Sequence, residues 1–240
     1  AFAALSEEQL LGGQRVYARS LMGYAALVVA LLTLAIGFLA RRAVADATRR
    51  RVLELRYADA SERARTDPLT GIANREAFDQ QLRRAHAAAR ADGTPFVLAF
   101  LDVDRFKALN DRYGHETGDR ALRRVADTVA GSVRRTDVVA RLGGDEFAVL
   151  MPGANAATAA RVFDNLGETL KLAVAEEGWP ISFSMGVVAF EDAPARARDA
   201  VAVADRLMYE VKGAGRDGVR YATWRGGRLD VDAPERRRAA

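Results

Sequence analysis

The sequence predicts an α/β domain preceded by a single membrane-spanning helix, and three observations predict it. Residues 21–40 read LMGYAALVVALLTLAIGFLA without one charge, about the twenty residues that a helix needs to cross a bilayer core. Beyond Asp67-Pro68, apolar stripes of helical period alternate with apolar runs of strand length. Two of those runs, 138–142 and 147–151, flank Gly143-Gly144-Asp145-Glu146, which reads as the tip of a β-hairpin.

Composition narrows the function classes. With 240 residues, half of them hydrophobic, the chain can form one domain with a full core plus an appendage. The net charge is only +4, and its Arg residues concentrate in 41–56 and 225–238. A nucleic-acid face would need basic residues interleaved with aromatics across the folded domain, so no nucleic-acid partner is expected. Without cysteine there are no disulfides and no thiolate zinc sites, which fits a reducing compartment.

In order, residues 1–20 are a polar lead, read as the end of an extracytoplasmic segment; the start at Ala1 rather than Met fits an upstream piece. Residues 21–40 are the transmembrane helix. A signal peptide would have a shorter apolar core with its positive residues in front. Arg15 and Arg19 precede the span, whereas Arg41, Arg42, Arg49, Arg50, Arg51 and Arg56 follow it, so the C-terminal bulk is expected in the cytoplasm, on the inner membrane. Residues 41–66 form a helical linker rich in Ala, Arg and Glu. Its heptad register through Ala45, Thr48, Val52, Leu55, Asp59 and Glu62 is apolar only at Val52 and Leu55; a weak coiled coil and a solvated single helix both satisfy it. Asp67-Pro68 ends the linker, because the residue before proline is driven out of the α region.

The domain spans 67–224. Asn74 can cap a helix with Phe78, Leu82, Ala85 and Ala89 on one face, stopped by Asp92-Gly93-Thr94-Pro95. Residues 96–103 read as a buried strand that brings Asp102 and Asp104 to its end. A loop from Asp104 to Asp119 follows, then a helix striped with Leu122, Val125, Ala126, Val129 and Val133, then the hairpin. Val162, Phe163, Leu166 and Leu170 mark a further helix, 181–190 a strand, 201–211 a helix and 219–224 a short strand; 225–240 is expected to be an unstructured basic tail. His86 reads as structural or solvated.

Paired acids at a Gly-Gly corner suggest cation or phosphate chemistry, although an isolated acidic turn is more often just solvated. If the strand end lies beside the hairpin tip, Asp102 converges with Asp145 or Glu146. That hard-oxygen set, with no His or Cys, suits magnesium and a nucleoside triphosphate. The stretch from Asp104 to Asp119 offers Lys107 for phosphate, and Asn and Asp side chains for a base edge. Lys212 and Arg216 stand where a helix runs into glycines, a position at which basic residues often just complement the helix dipole.

Asp67-Pro68-Leu69-Thr70-Gly71-Ile72-Ala73-Asn74-Arg75, Asp102-Val103-Asp104-Arg105-Phe106-Lys107, Asn110-Asp111, Gly114-His115, Gly118-Asp119, Gly143-Gly144-Asp145-Glu146-Phe147 and Lys212-Gly213-Ala214-Gly215-Arg216 occur in that order. In these motifs the chain, from about Thr66 to Tyr221, resembles the GGDEF domain of the diguanylate cyclase family. The resemblance implies a nucleotidyl-cyclase-like α/β (α+β) fold with a central, mainly antiparallel sheet flanked by helices. It also implies a homodimer that condenses two GTP into cyclic di-GMP and two pyrophosphates, each 3′-hydroxyl attacking the opposite α-phosphate. Carried over, Asp102, the Val103 carbonyl, Asp145 and Glu146 would bind Mg2+ or Mn2+, two ions per site, with Asp145 or Glu146 as the base. Phe106, Lys107, Asn110, His115, Asp119, Lys212 and Arg216 would bind the nucleotide. Arg134 and Asp137, in Val133-Arg134-Arg135-Thr136-Asp137, would form an inhibitory site for the product. A catalytically silent module that binds GTP or cyclic di-GMP is the alternative; the intact acids favour the enzyme.

Overall fold

The computed structural model describes residue 22, residues 32–34, 36–42 and 65–232. The chain divides into two compact units, residues 1–61 and 62–240. In the first, the described residues are helical, and Met22, Leu32, Leu34, Ile36, Phe38 and Leu39 are exposed. Among the described residues no helix is long and apolar enough to cross a membrane. Most of the expected 21–40 span, and the linker over 43–64, lie outside the described residues.

The second unit runs β1 (Ala73–Asn74), α1 (Arg75–Asp92), β2 (Phe96–Asp104), α2 (Phe106–Tyr113), α3 (His115–Ser132), β3 (Val138–Gly143), β4 (Glu146–Pro152), α4 (Ala156–Glu176), β5 (Ser182–Phe190), α5 (Ala197–Gly213), β6 (Gly218–Arg225) and β7 (Arg228–Val231). The strands form one sheet in the order β1-β3-β4-β2-β5-β6-β7. The sheet is mixed: β1 with β3 and β5 with β6 are parallel, and the other neighbours are antiparallel. All nine residues of β2 are buried, as the unbroken apolar run requires of a strand covered on both faces.

Strand side chains alternate between faces, so the two faces build two cores. Val97, Ala99, Leu101, Phe147, Val149, Phe183 and Val187 pack with the apolar stripes of α3 and α4. Phe96, Leu98, Phe100, Ala148, Leu150 and Phe190 pack with α1 and α5 on the other side. Burying each of Phe78, Phe96, Phe147, Phe163 and Phe190 contributes about 1.5–3 kcal/mol. α1 begins as its sequence predicts, with the Asn74 side chain accepting from the Ala77 amide at 3.0 Å. His86 is structural: its Nε2 lies 2.8 Å from the Pro194 carbonyl oxygen, tying α1 to the loop before α5.

Three expectations need correction. The stretch from Asp104 to Asp119 is not a loop; it forms α2 and the first turns of α3, separated only at Gly114. Asn110 and Asp111 favour turns by propensity, but burial of Leu109 in the α3–α4 core overrides that preference. The hairpin turn is Gly144-Asp145, since Gly143 and Glu146 already pair; Gly143 and Gly144 take φ values of 142° and 54° beside a register shift. The tail is ordered as far as described. Gly226-Gly227 reverses the chain, β7 pairs with β6, and Asp192 accepts from the Gly226 amide at 2.6 Å. Residues 233–240 lie outside the described residues.

Candidate active site

The antiparallel register sets Asp102, near the end of β2, directly opposite Glu146, the first residue of β4. Opposed residues in such a ladder project to the same face. The Val103 amide donates to the Asp145 carbonyl oxygen at 3.2 Å, closing the turn onto β2. The expected convergence of Asp102 with the acids of the hairpin tip is therefore present. Burial pushes the Asp102 carboxyl above its ordinary range; the Lys212 ammonium, 2.6 Å from its Oδ2, opposes that, while Asp145 and Asp104 add to it.

Two arginines hold the tip. Arg141 donates through Nε and Nη2 to the Gly144 carbonyl oxygen at 3.0 and 2.8 Å. Its Nη1 reaches both oxygens of Asp67 at 3.1 and 3.3 Å. Asp67 in turn closes its own turn by accepting from the Thr70 amide and hydroxyl. Arg75 donates to the Leu142 carbonyl oxygen at 2.9 Å and lies 3.9 Å from Glu146. Neither arginine has an expected role in the sequence reading. Their partners stand 67 and 74 residues away, beyond any local pattern.

The expected base-reading residues lie on α2 and α3. Asn110 Oδ1 is buried with no hydrogen-bond partner. A buried acceptor left unpaired costs free energy. Gly118 makes room for it: a Cβ there would lie 1.9 Å from Asn110 Oδ1 and 3.1 Å from Phe106 Cζ. Asp119 is half-buried and, with Glu116, Thr117, Arg120 and Arg123, lines an open depression of about 490 Å³. Lys107 and His115 are exposed on the same helices and, among the described residues, have no ion-pair partner.

Lys212, in the last turn of α5, pairs with Asp102. Arg216 lies beyond it with Nε 3.8 Å from Asp104 Oδ1. Arg134 and Asp137 are not brought to this site. They form a turn at the opposite end of β3, where each backbone amide bonds back: Arg134 N to Asp137 Oδ2 and Asp137 N to the Arg134 carbonyl oxygen, both at 2.9 Å. The Arg134 side chain points to solvent, so the pair is not the surface ion pair that this spacing could also have given.

Asp102, Asp145, Glu146 and the Val103 carbonyl supply only hard oxygen donors, a set that fits magnesium. Among the described residues no group of three or more His, Asp or Glu stands ready as a metal cage.

Residues 64–218 match the family model "Diguanylate cyclase, GGDEF domain". The chain is 40% identical over 172 residues to diguanylate cyclase DgcP of Pseudomonas aeruginosa, covering 68% of this chain and 25% of that protein. It is 33% identical over 163 residues to diguanylate cyclase DgcS of Shewanella oneidensis, covering 68% and 54%. The chain thus spans between a quarter and about half of these relatives. Among solved structures, the coiled coil and GGDEF domain of DgcB from Caulobacter crescentus, in complex with c-di-GMP, superposes with a TM-score of 0.61 at 30% identity, covering 77% of this chain and 99% of that one. Diguanylate cyclase SiaD of Pseudomonas aeruginosa, in complex with its activator SiaC, gives 0.62 at 28% identity, covering 90% and 86%.

Proposed function

The chain belongs to the GGDEF family of diguanylate cyclases, and from that membership we propose that it condenses two GTP into cyclic di-GMP and two pyrophosphates in a membrane-anchored homodimer. The observation that carries the reading is the meeting of Asp102 with the acids of the hairpin tip across β2 and β4.

In this reading Asp102, the Val103 carbonyl, Asp145 and Glu146 hold two divalent ions, whose chemistry is to neutralise phosphate charge and make the attacking hydroxyl more acidic. The protein's own tasks are positional and acid–base. Asn110 Oδ1 accepts from a guanine N–H, and Asp119 accepts from another. Phe106, Lys107 and His115 line the nucleotide, and Lys212 and Arg216 bind the triphosphate. As the site fills, Lys212 would exchange Asp102 for phosphate, which leaves that carboxylate free to hold a divalent ion. Asp145 or Glu146 takes the proton of the 3′-hydroxyl. Arg75 and Arg141 keep the turn that carries both acids from drifting, which matters because a misplacement of about 1 Å can cost roughly a hundredfold in rate.

Each subunit holds one GTP, so the reaction needs two domains face to face. Residues 21–40 supply the anchor, and the excess of arginines after them sets the domain in the cytoplasm. Arg134 and Asp137 form a separate product site: an arginine can fork onto guanine or phosphate acceptors, and their position at the far end of β3 keeps a bound dinucleotide out of the catalytic pocket. Incubating the full chain in lipid with GTP and magnesium, then identifying products by chromatography and mass, tests the proposal. It predicts cyclic di-GMP with two pyrophosphates per turnover; no product from a folded, dimeric protein overturns it.

A further inference from the structure

Asp104 stands at the end of β2, and its side chain has no exposed surface at all. Oδ1 accepts from the Ser184 hydroxyl at 2.8 Å and faces Arg216 Nε at 3.8 Å. Oδ2 accepts from the Ser182 hydroxyl at 2.9 Å and the Asp217 amide at 3.2 Å. A carboxylate offers about four lone-pair directions; three are taken by hydrogen bonds, and Arg216 adds a longer ion pair. Asp104 is therefore built differently from Asp102, whose Oδ2 meets the Lys212 ammonium.

The neighbours come from two places. Ser182 and Ser184 belong to rigid β5 and fix the carboxylate, while Arg216 and Asp217 belong to the loop that leaves α5. That loop is strained: Arg216 and Asp217 have φ values of 68° and 51°, a region that L side chains avoid, and Gly215 has 122°. Such backbone persists only where its surroundings over-determine it. Here the Arg216 amide donates to the Val211 carbonyl oxygen at 3.0 Å, and Asp104 holds the next amide.

We propose that Asp104 is a positioning residue for triphosphate binding: it pins residues 213–217 in one conformation and thereby aims Arg216, and Lys212 at the loop's root, at the phosphates. The inference rests on the nucleotide reading above. It gives the two acids of β2 separate tasks, Asp102 facing the reacting groups and Asp104 holding the loop that grips the phosphates. Guanine recognition, on α2 and α3, is independent of Asp104.

The test is calorimetric titration of the full chain, in lipid with magnesium, using the α,β-methylene analogue of GTP and, separately, GMP. Asp104→Asn is expected to weaken the analogue roughly tenfold, the worth of one charge-assisted contact, and GMP by less than about twofold. Ser184→Ala, a milder change that removes one support, is expected to shift the same ratio in the same direction by about threefold, and it carries the test if Asp104→Asn does not fold. Arg216→Ala weakens the analogue by itself, and adding Asp104→Asn to it should cost clearly less than in the wild type, because both act through one loop. Equal losses for both ligands, an unchanged affinity for the analogue, or strict additivity with Arg216→Ala would overturn the assignment of Asp104. A wild type that binds neither ligand would instead overturn the nucleotide reading on which it rests.

Discussion

Removing Arg141 is predicted to loosen the corner that carries the acids. Its guanidinium makes two contacts with Asp67 and two with the Gly144 carbonyl oxygen, and the paired side chains are only 15% and 17% exposed. Arg141→Ala leaves a largely enclosed carboxylate with only Thr70 and leaves the carbonyl without its donor. A fully buried pair broken on one side costs about 3–5 kcal/mol; with some solvent access, about 2–3 kcal/mol is expected. For a domain of this size that lowers Tm by about 5–10 °C. The pH dependence identifies the cause. Partial burial works to raise the Asp67 pKa, but the Thr70 hydroxyl and the Arg141 guanidinium outweigh it, so its carboxyl sits below the ordinary 3.8. A depressed carboxyl stabilises the fold above its unfolded pKa, and the stabilisation is lost as pH falls through the folded value. The gap in Tm between wild type and Arg141→Ala, followed by circular dichroism, should stay constant from neutral pH down to about 5 and narrow as pH drops below the ordinary carboxylate range, the part due to the Gly144 carbonyl remaining. A gap under about 1 °C at neutral pH, or one that widens in acid, would refute the reasoning.

Asp102→Asn should raise the Tm of the metal-free, nucleotide-free protein. Burial, helped by Asp145, raises this carboxyl's pKa against the pull of Lys212, so its charge destabilises the fold above the folded pKa and the penalty fades as pH falls through it; a lower Tm at neutral pH would contradict this. Gly118→Ala should cost about 1–3 kcal/mol in urea unfolding and weaken GTP binding, because the new methyl would displace Asn110 and crowd Phe106; an unchanged midpoint and affinity would show that the close approach has no consequence. Arg134→Ala should relieve inhibition by added cyclic di-GMP during turnover while leaving the initial rate intact; equal inhibition of both proteins, or of neither, would refute the product site.

Much of the architecture was legible in the chain. The stripe Phe78, Leu82, Ala85, Ala89 and the cap Asn74 gave α1, and the uninterrupted run 96–103 gave the central strand, because burial dictates both patterns directly. What stayed hidden depends on contacts between distant segments. α2 carries only one fully buried residue, Leu109, too little to show a helical stripe against the turn-forming Asn110 and Asp111. β7 alternates charged residues on an exposed edge and reads as a tail until Gly226-Gly227 folds it onto β6. At the site, the acids and the side chains proposed to read a base were legible as residue types at motif spacing. Their supports were not: Arg141 binds Asp67 beside the hairpin tip, and Asp104 binds Ser182, Ser184 and the Asp217 amide, pairings between segments far apart in the chain.

Asp102 and the hairpin acids are proposed to form one catalytic centre. Its most direct test is a side-by-side product assay of wild type, Asp102→Asn and Glu146→Gln, each reconstituted in lipid, checked for folding by circular dichroism, and supplied with GTP and magnesium. Cyclic di-GMP is expected from the wild type and at least about a hundredfold less from either folded variant, if each removes a group that acts directly on the reacting phosphates or hydroxyl. Wild-type rates of cyclic di-GMP formation from both variants would contradict it.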